Sequence, residues 1–118
     1  MTGRFEIDRL DPDDPFEVDA GNRPHLFKHV ANDEGRSIGL GEADVMDVYL
    51  DGQPFFYPAD MSKGEAHWIM VGIIPGIVVA VPLAPPKSGD PTKCRPIGVY
   101  QASQTLRERY IEEMTHES

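Results

Sequence analysis

Ala66-His67-Trp68-Ile69-Met70-Val71-Gly72-Ile73-Ile74-Pro75-Gly76-Ile77-Val78-Val79-Ala80-Val81-Pro82-Leu83-Ala84 contains the longest strongly apolar run of the chain, from Trp68 onward. Gly72, Pro75, Gly76 and Pro82 interrupt it. That pattern is wrong for a membrane span of about 20 apolar residues and right for strands joined by a tight turn. β-Branched and aromatic residues fill 66–74 and 77–84, a composition suited to a pleated, buried surface, and Pro75-Gly76 supplies the turn. The reading is an antiparallel hairpin whose second strand is buried.

Upstream, Pro54-Phe55-Phe56-Tyr57-Pro58 reads as a short strand fenced by prolines. Before it, Ala43, Met46, Tyr49 and Leu50 keep a three/four spacing that predicts a helix over 40–50, stopped at Gly52. Downstream, residues 85–93 carry turn chemistry, Cys94 to Gln101 reads as the last strand, and Ser103 caps a closing helix with Leu106, Tyr110 and Met114 on one face. Near the start, Phe16-Glu17-Val18-Asp19 alternates apolar and acidic residues as a first strand would, and Asn22 stands where it could cap a helix running through His29. A polar loop between Val30 and Ile38 follows. Residues 1–15, acidic and broken by Pro12 and Pro15, read as an N-terminal tail, and 16–118 as a single domain. The expected fold is α+β: N-terminal helices, an antiparallel sheet of about four strands, and a C-terminal helix.

A length of 118 residues with 40% hydrophobic content suits one compact domain. The opening residues show no apolar export segment, so a cytoplasmic location is expected. Cys94 is the sole cysteine. It excludes an internal disulfide and reads as a small buried hydrophobe rather than a nucleophile. The net charge of -9 opposes any extended nucleic-acid surface, because such surfaces depend on Lys and Arg neutralising phosphates. RNA contact would need a local cationic patch. The same charge favours basic protein partners.

The local patch lies in Phe16-Glu17-Val18-Asp19-Ala20-Gly21-Asn22-Arg23-Pro24-His25-Leu26-Phe27-Lys28-His29. On the expected helix, His25, Lys28 and His29 stand at i, i+3 and i+4 and share a face able to hold a phosphate and move a proton. His25-x-x-x-His29 also has metal-ligand spacing, but no Glu lies between the two and no further ligand is evident nearby, so neither metal nor cofactor is expected. Without other context, two histidines on a short helix are simply a solvated or packed pair.

Three blocks in order resemble the BrnT family, the toxin half of bacterial type II toxin–antitoxin pairs. They are Asp19-x-Gly21-Asn22 with His25, Lys28 and His29; His67-Trp68-Ile69-Met70-Val71-Gly72 followed by Gly76; and Arg95-Pro96-Ile97-Gly98-Val99-Tyr100-Gln101-Ala102 with Arg107 and Tyr110. The resemblance covers roughly residues 16–114 and implies a RelE-like ribonuclease fold. His67 and Tyr100 stand where the family usually has arginine, which removes two permanent cations from the implied RNA surface.

The resemblance implies metal-independent RNA cleavage that inhibits translation, with a ribbon-helix-helix antitoxin as partner and a heterotetramer on an antitoxin dimer as one assembly. Such cleavage needs a base, cations at the phosphate and an acid. Either His25 or His29 suits the base, Lys28 and Arg95 the phosphate, and either Tyr100 or His67 the acid or an RNA-orienting role. The plainer readings are a half-buried aromatic for Tyr100 and an edge or bulge marker for Arg95 beside Pro96. The alternative function is a degenerate member, without catalysis, that binds an antitoxin partner or acts as a co-repressor.

Overall fold

The computed structural model describes residues 4–26, 28–31 and 34–117, with the side chains of His25, Lys28, His29, Val30, Ala31 and Glu117 outside the description. The fold is α+β, with an antiparallel sheet between two helices. Strand β5 (Ile77–Ala84) is its spine. Strand β4 (Trp68–Ile74) pairs along one side of it, from Ile74↔Ile77 to Trp68↔Leu83, and β3 (Phe55–Pro58) lies outside β4. At the expected turn Gly76 takes φ of 83°, the left-handed value such a tight connection favours.

On the other side of β5 the expected last strand is divided into β6 (Arg95–Pro96) and β7 (Tyr100–Gln101). The register explains the division. Leu83 faces Pro96 and Ala80 faces Tyr100, so residues 97–99 oppose only Val81 and Pro82. One extra residue is a bulge. Pro82 has no N–H to offer the ladder there, although its carbonyl still accepts Ile97 N–H at 3.0 Å.

Two apolar layers clothe the sheet. Helix α1 (Glu42–Asp51) buries Val45 and Val48 against Met70, Val79, Val81 and Leu83 on one face. Helix α2 (Gln104–Glu117) covers the opposite face, where Tyr110, Leu106 and Met114 meet Tyr57, Val71, Val78 and Ala80. Ser103 caps α2 as expected, its Oγ accepting Leu106 N–H. Gly72 allows α1 to sit close: a Cβ there would lie 2.6 Å from Val48 Cγ1.

The sequence reading needs correction upstream of α1. Phe16–Asp19 does not form a strand; Phe16 makes a single parallel bridge to Cys94. Among the described residues no α-helix runs from Asn22 through His29. A 3-10 turn, Arg23–Leu26, is followed by strand β1 (Lys28–Ala31), paired with β2 (Ser37–Leu40) where a polar loop was expected to reach Ile38. Pro24 lies inside that short turn, and β pairing to Leu40 and Gly39 claims the backbone of Lys28 and His29. The stretch expected as an acidic tail is stitched to the domain over 4–15: Leu10 and Pro15 are buried, and Asp11 N–H donates to Thr92 O at 2.9 Å. Among the described residues no helix is long and apolar enough to cross a membrane.

Tyr110 joins α2 to the turn after α1, its hydroxyl lying 2.9 Å from both Gly52 O and Gln53 O. Its ring meets Phe55 edge-on. Tyr110→Phe should keep the packing and lose this tie, destabilising the fold by about 1–3 kcal/mol. Urea unfolding measures the loss, and an unchanged midpoint would show that the hydroxyl contributes nothing.

Candidate functional site

The residues singled out for chemistry fall around the two ends of the second half of β5. Arg95 pairs with Ala84, whereas Tyr100 pairs with Ala80, four residues away and so roughly 13 Å along the strand. His67 is on the far side of β5 from Arg95, its N–H donating to Leu83 O at 2.8 Å. Strand β1, which carries Lys28 and His29, lies beside β7. Its backbone therefore lies on the Tyr100 side of the bulge. The shared face of His25, Lys28 and His29 existed only on a helix, because i, i+3 and i+4 positions align only at helical period; their side chains lie outside the description.

His67 and Arg95 are both engaged within the chain. His67 Nδ1 accepts the Phe5 N–H at 3.3 Å, and its ring stacks on Phe5 with centroids 5.6 Å apart. Arg4 crosses the same edge, donating through Nε to His67 O and through Nη2 to Ala59 O, while Trp68 Nε1–H donates to Phe5 O. Burial first, and then the Arg4 charge, lower the His67 pKa. This imidazole is held neutral as an acceptor. The Arg95 side chain, only 13% exposed, reaches Glu65 Oε2 through Nη2 at 3.4 Å. Its Nε is buried with no hydrogen-bond partner among the described residues.

Tyr100 remains 42% exposed. Its ring folds back over Gly98, where a Cβ would stand 2.5 Å from Cε2. Cys94 is buried, and desolvation pushes its thiol up to about 12. That agrees with the reading of a small hydrophobe and removes it as a nucleophile.

Asn22 has a role that a helix cap does not describe. It is buried, accepts Asp19 N–H through Oδ1 at 2.7 Å, and donates through Nδ2 to Glu17 O and Pro96 O, both at 3.0 Å. Asp19 completes the loop by accepting the N–H groups of Gly21 and Asn22. Those hydrogen bonds, Asn22's first, hold the Asp19 carboxyl below its ordinary range, with Lys87 and Arg95 adding to the effect. Glu17 in turn accepts the N–H groups of Lys87 and Ser88. The Asp-x-Gly-Asn block thus fastens the N-terminal segment and the 85–93 loop to the β6 edge. The signal for this was present as a turn-forming pattern, but its long-range partner, Pro96, was not.

No family model, curated protein or solved structure matches the chain. Among the described residues no cluster of His, Cys, Asp and Glu could hold a metal ion.

Asn22→Ala would leave two carbonyls and one N–H without partners, at a cost of about 2–4 kcal/mol given what unsatisfied buried groups generally cost. Thermal unfolding checks this, and a loss near zero would mean water replaces the amide. His67 sets a pH dependence. Its folded pKa lies below 6.5, so as the pH falls the unfolded chain binds the proton first. The contribution is full above pH 6.5 and is lost as pH falls through the folded value. Melting curves of the native chain should drop more steeply in mild acid than those of His67→Asn, and parallel curves would refute the assignment.

Proposed function

We propose that this chain is a non-catalytic, partner-binding module of BrnT-like type. The observation that carries the reading is the internal engagement of His67 and Arg95: one is a neutral acceptor for Phe5 N–H, the other is largely buried against Glu65. A ribonuclease needs a base, an acid and cations converging within hydrogen-bond reach of one phosphate. Arg95 and Tyr100 instead pair with different stretches of β5, and the -9 charge repels a polyanion. The same charge attracts a basic protein, as a ribbon-helix-helix antitoxin would be on the DNA-binding side of its function.

The nuclease reading keeps one specific support: β1, with Lys28 and His29, runs beside β7, where Tyr100 is exposed. Incubating the purified chain with total cellular RNA separates the two readings. The binding module leaves RNA intact, with the native chain and His29→Ala behaving alike. Cleavage by the native chain that disappears in His29→Ala would restore the toxin.

A further inference from the structure

We propose that the groove between α1 and the end of the β4–β5 hairpin docks a basic, amphipathic helix of a partner protein, an inference that rests on the binding-module reading and gives it a surface. The groove, about 370 Å³, is lined by Asp44, Asp47, Asp51, Ile73, Ile74 and Pro75. Half of its lining, Ile73, Ile74 and Pro75, is apolar. Ile73 is 37% exposed there, and Leu50, 50% exposed, stands one turn along α1 from Asp47. Exposed aliphatic side chains beside a concave surface mark a place where apolar burial is still available.

The rim carries the selectivity. Asp44, Asp47 and Asp51 occupy i, i+3 and i+7 of α1, a ladder about 10 Å long at helical rise. Asp44 has one oxygen on Gly41 N–H. Among the described residues no cation pairs with Asp47 or Asp51, and the last turn of α1 has no basic residue. A helix C-terminus is already partly negative and favours Lys or Arg. Two carboxylates toward that end break the local rule, and such breaks without a compensating contact within the chain are expected at functional surfaces.

A solvated polar face would explain the charge alone, but it would not explain why the aspartates share a groove with Ile73, Ile74 and Pro75. The three carboxylates do not form a metal-holding group. Nucleic acid and anionic lipid are repelled. What fits is a helix with aliphatic residues toward Ile73 and Pro75 and with Lys or Arg at three/four spacing opposite the aspartates, the helix-in-groove mode of recognition.

The test uses the full chain, isotope-labelled for NMR, and a synthetic amphipathic peptide of about 18 residues with a leucine face flanked by lysines, long enough to form helix on binding. Shift changes should cluster at 44–51 and 73–77. Asp47→Asn with Asp51→Asn should weaken binding about tenfold, as should raising salt from about 50 to about 300 mM. Neutralising Glu108 and Glu112 on α2 should leave it unchanged, and a peptide with Glu for every Lys should not bind. These Asn substitutions relieve repulsion at the helix end, so the variant stays folded. Perturbations spread equally over α2, binding insensitive to Asp47 and Asp51, or self-association of the chain through this groove would each overturn the proposal. Intact RNA with no peptide binding removes this surface alone. RNA cleavage dependent on His29 removes the binding-module reading while a mapped groove would still stand.

Discussion

Strand β5 must be apolar along its whole length because it is covered on both faces, and the rest of the molecule is arranged around that constraint. Val79, Val81 and Leu83 point to the α1 layer, whereas Val78 and Ala80 point to the α2 layer. Each fully buried aliphatic side chain contributes on the order of 1.5–3 kcal/mol, so this strand concentrates much of the driving force for folding. It also limits where chemistry can stand. Charged and polar groups are confined to the neighbours of β5, and Pro82 breaks the ladder that would have lined Arg95 and Tyr100 along one continuous strand.

The N-terminal segment and the Asp-x-Gly-Asn block act at the two sides of the sheet. Arg4 and Phe5 hold the end of β3 and β4 at Ala59 and His67, while Asn22 ties Glu17 and Pro96 together at the β6 edge. Sheet edges present unpaired backbone groups that invite wrong partners. At the Ala59–His67 end Arg4 donates to both carbonyls, and at the β6 edge the bridge from Phe16 to Cys94 extends the pairing by one strand position. Of the residues whose types suit RNA chemistry, His67 is one used in this way, as the acceptor for Phe5 N–H.

The acidic charge has several separate uses. Asp11, Asp19, Asp60 and Asp90 each accept hydrogen bonds from backbone N–H groups within three residues, and Glu17 does so from the 87–88 turn. Side-chain hydrogen bonds from Ser88 at Glu17 and Ser62 at Asp60 come first there, and with these backbone bonds they favour the ionised form and lower the carboxyl pKa in every case. Much of the negative composition thus shapes turns. Asp47 and Asp51 differ, because no backbone turn or cation within the described residues employs them.

From sequence alone, local pattern determined the hairpin of β4 and β5, the short β3, α1 ending at Gly52 and α2 capped by Ser103, since each depends on neighbours a few residues away. The α+β class followed from their order. Only the tertiary structure decided the course of residues 16–31, where a helical histidine face was expected and a 3-10 turn and strand form instead. Propensity there is weak, and pairing with β2 outweighs it. The same holds for the site. His67 and Arg95 looked available because their types suit RNA chemistry, yet their engagement depends on Phe5 and Glu65, placed beside them by the packing of distant segments. Local pattern can state which residue types are present; only long-range contacts determine which of them are already bound.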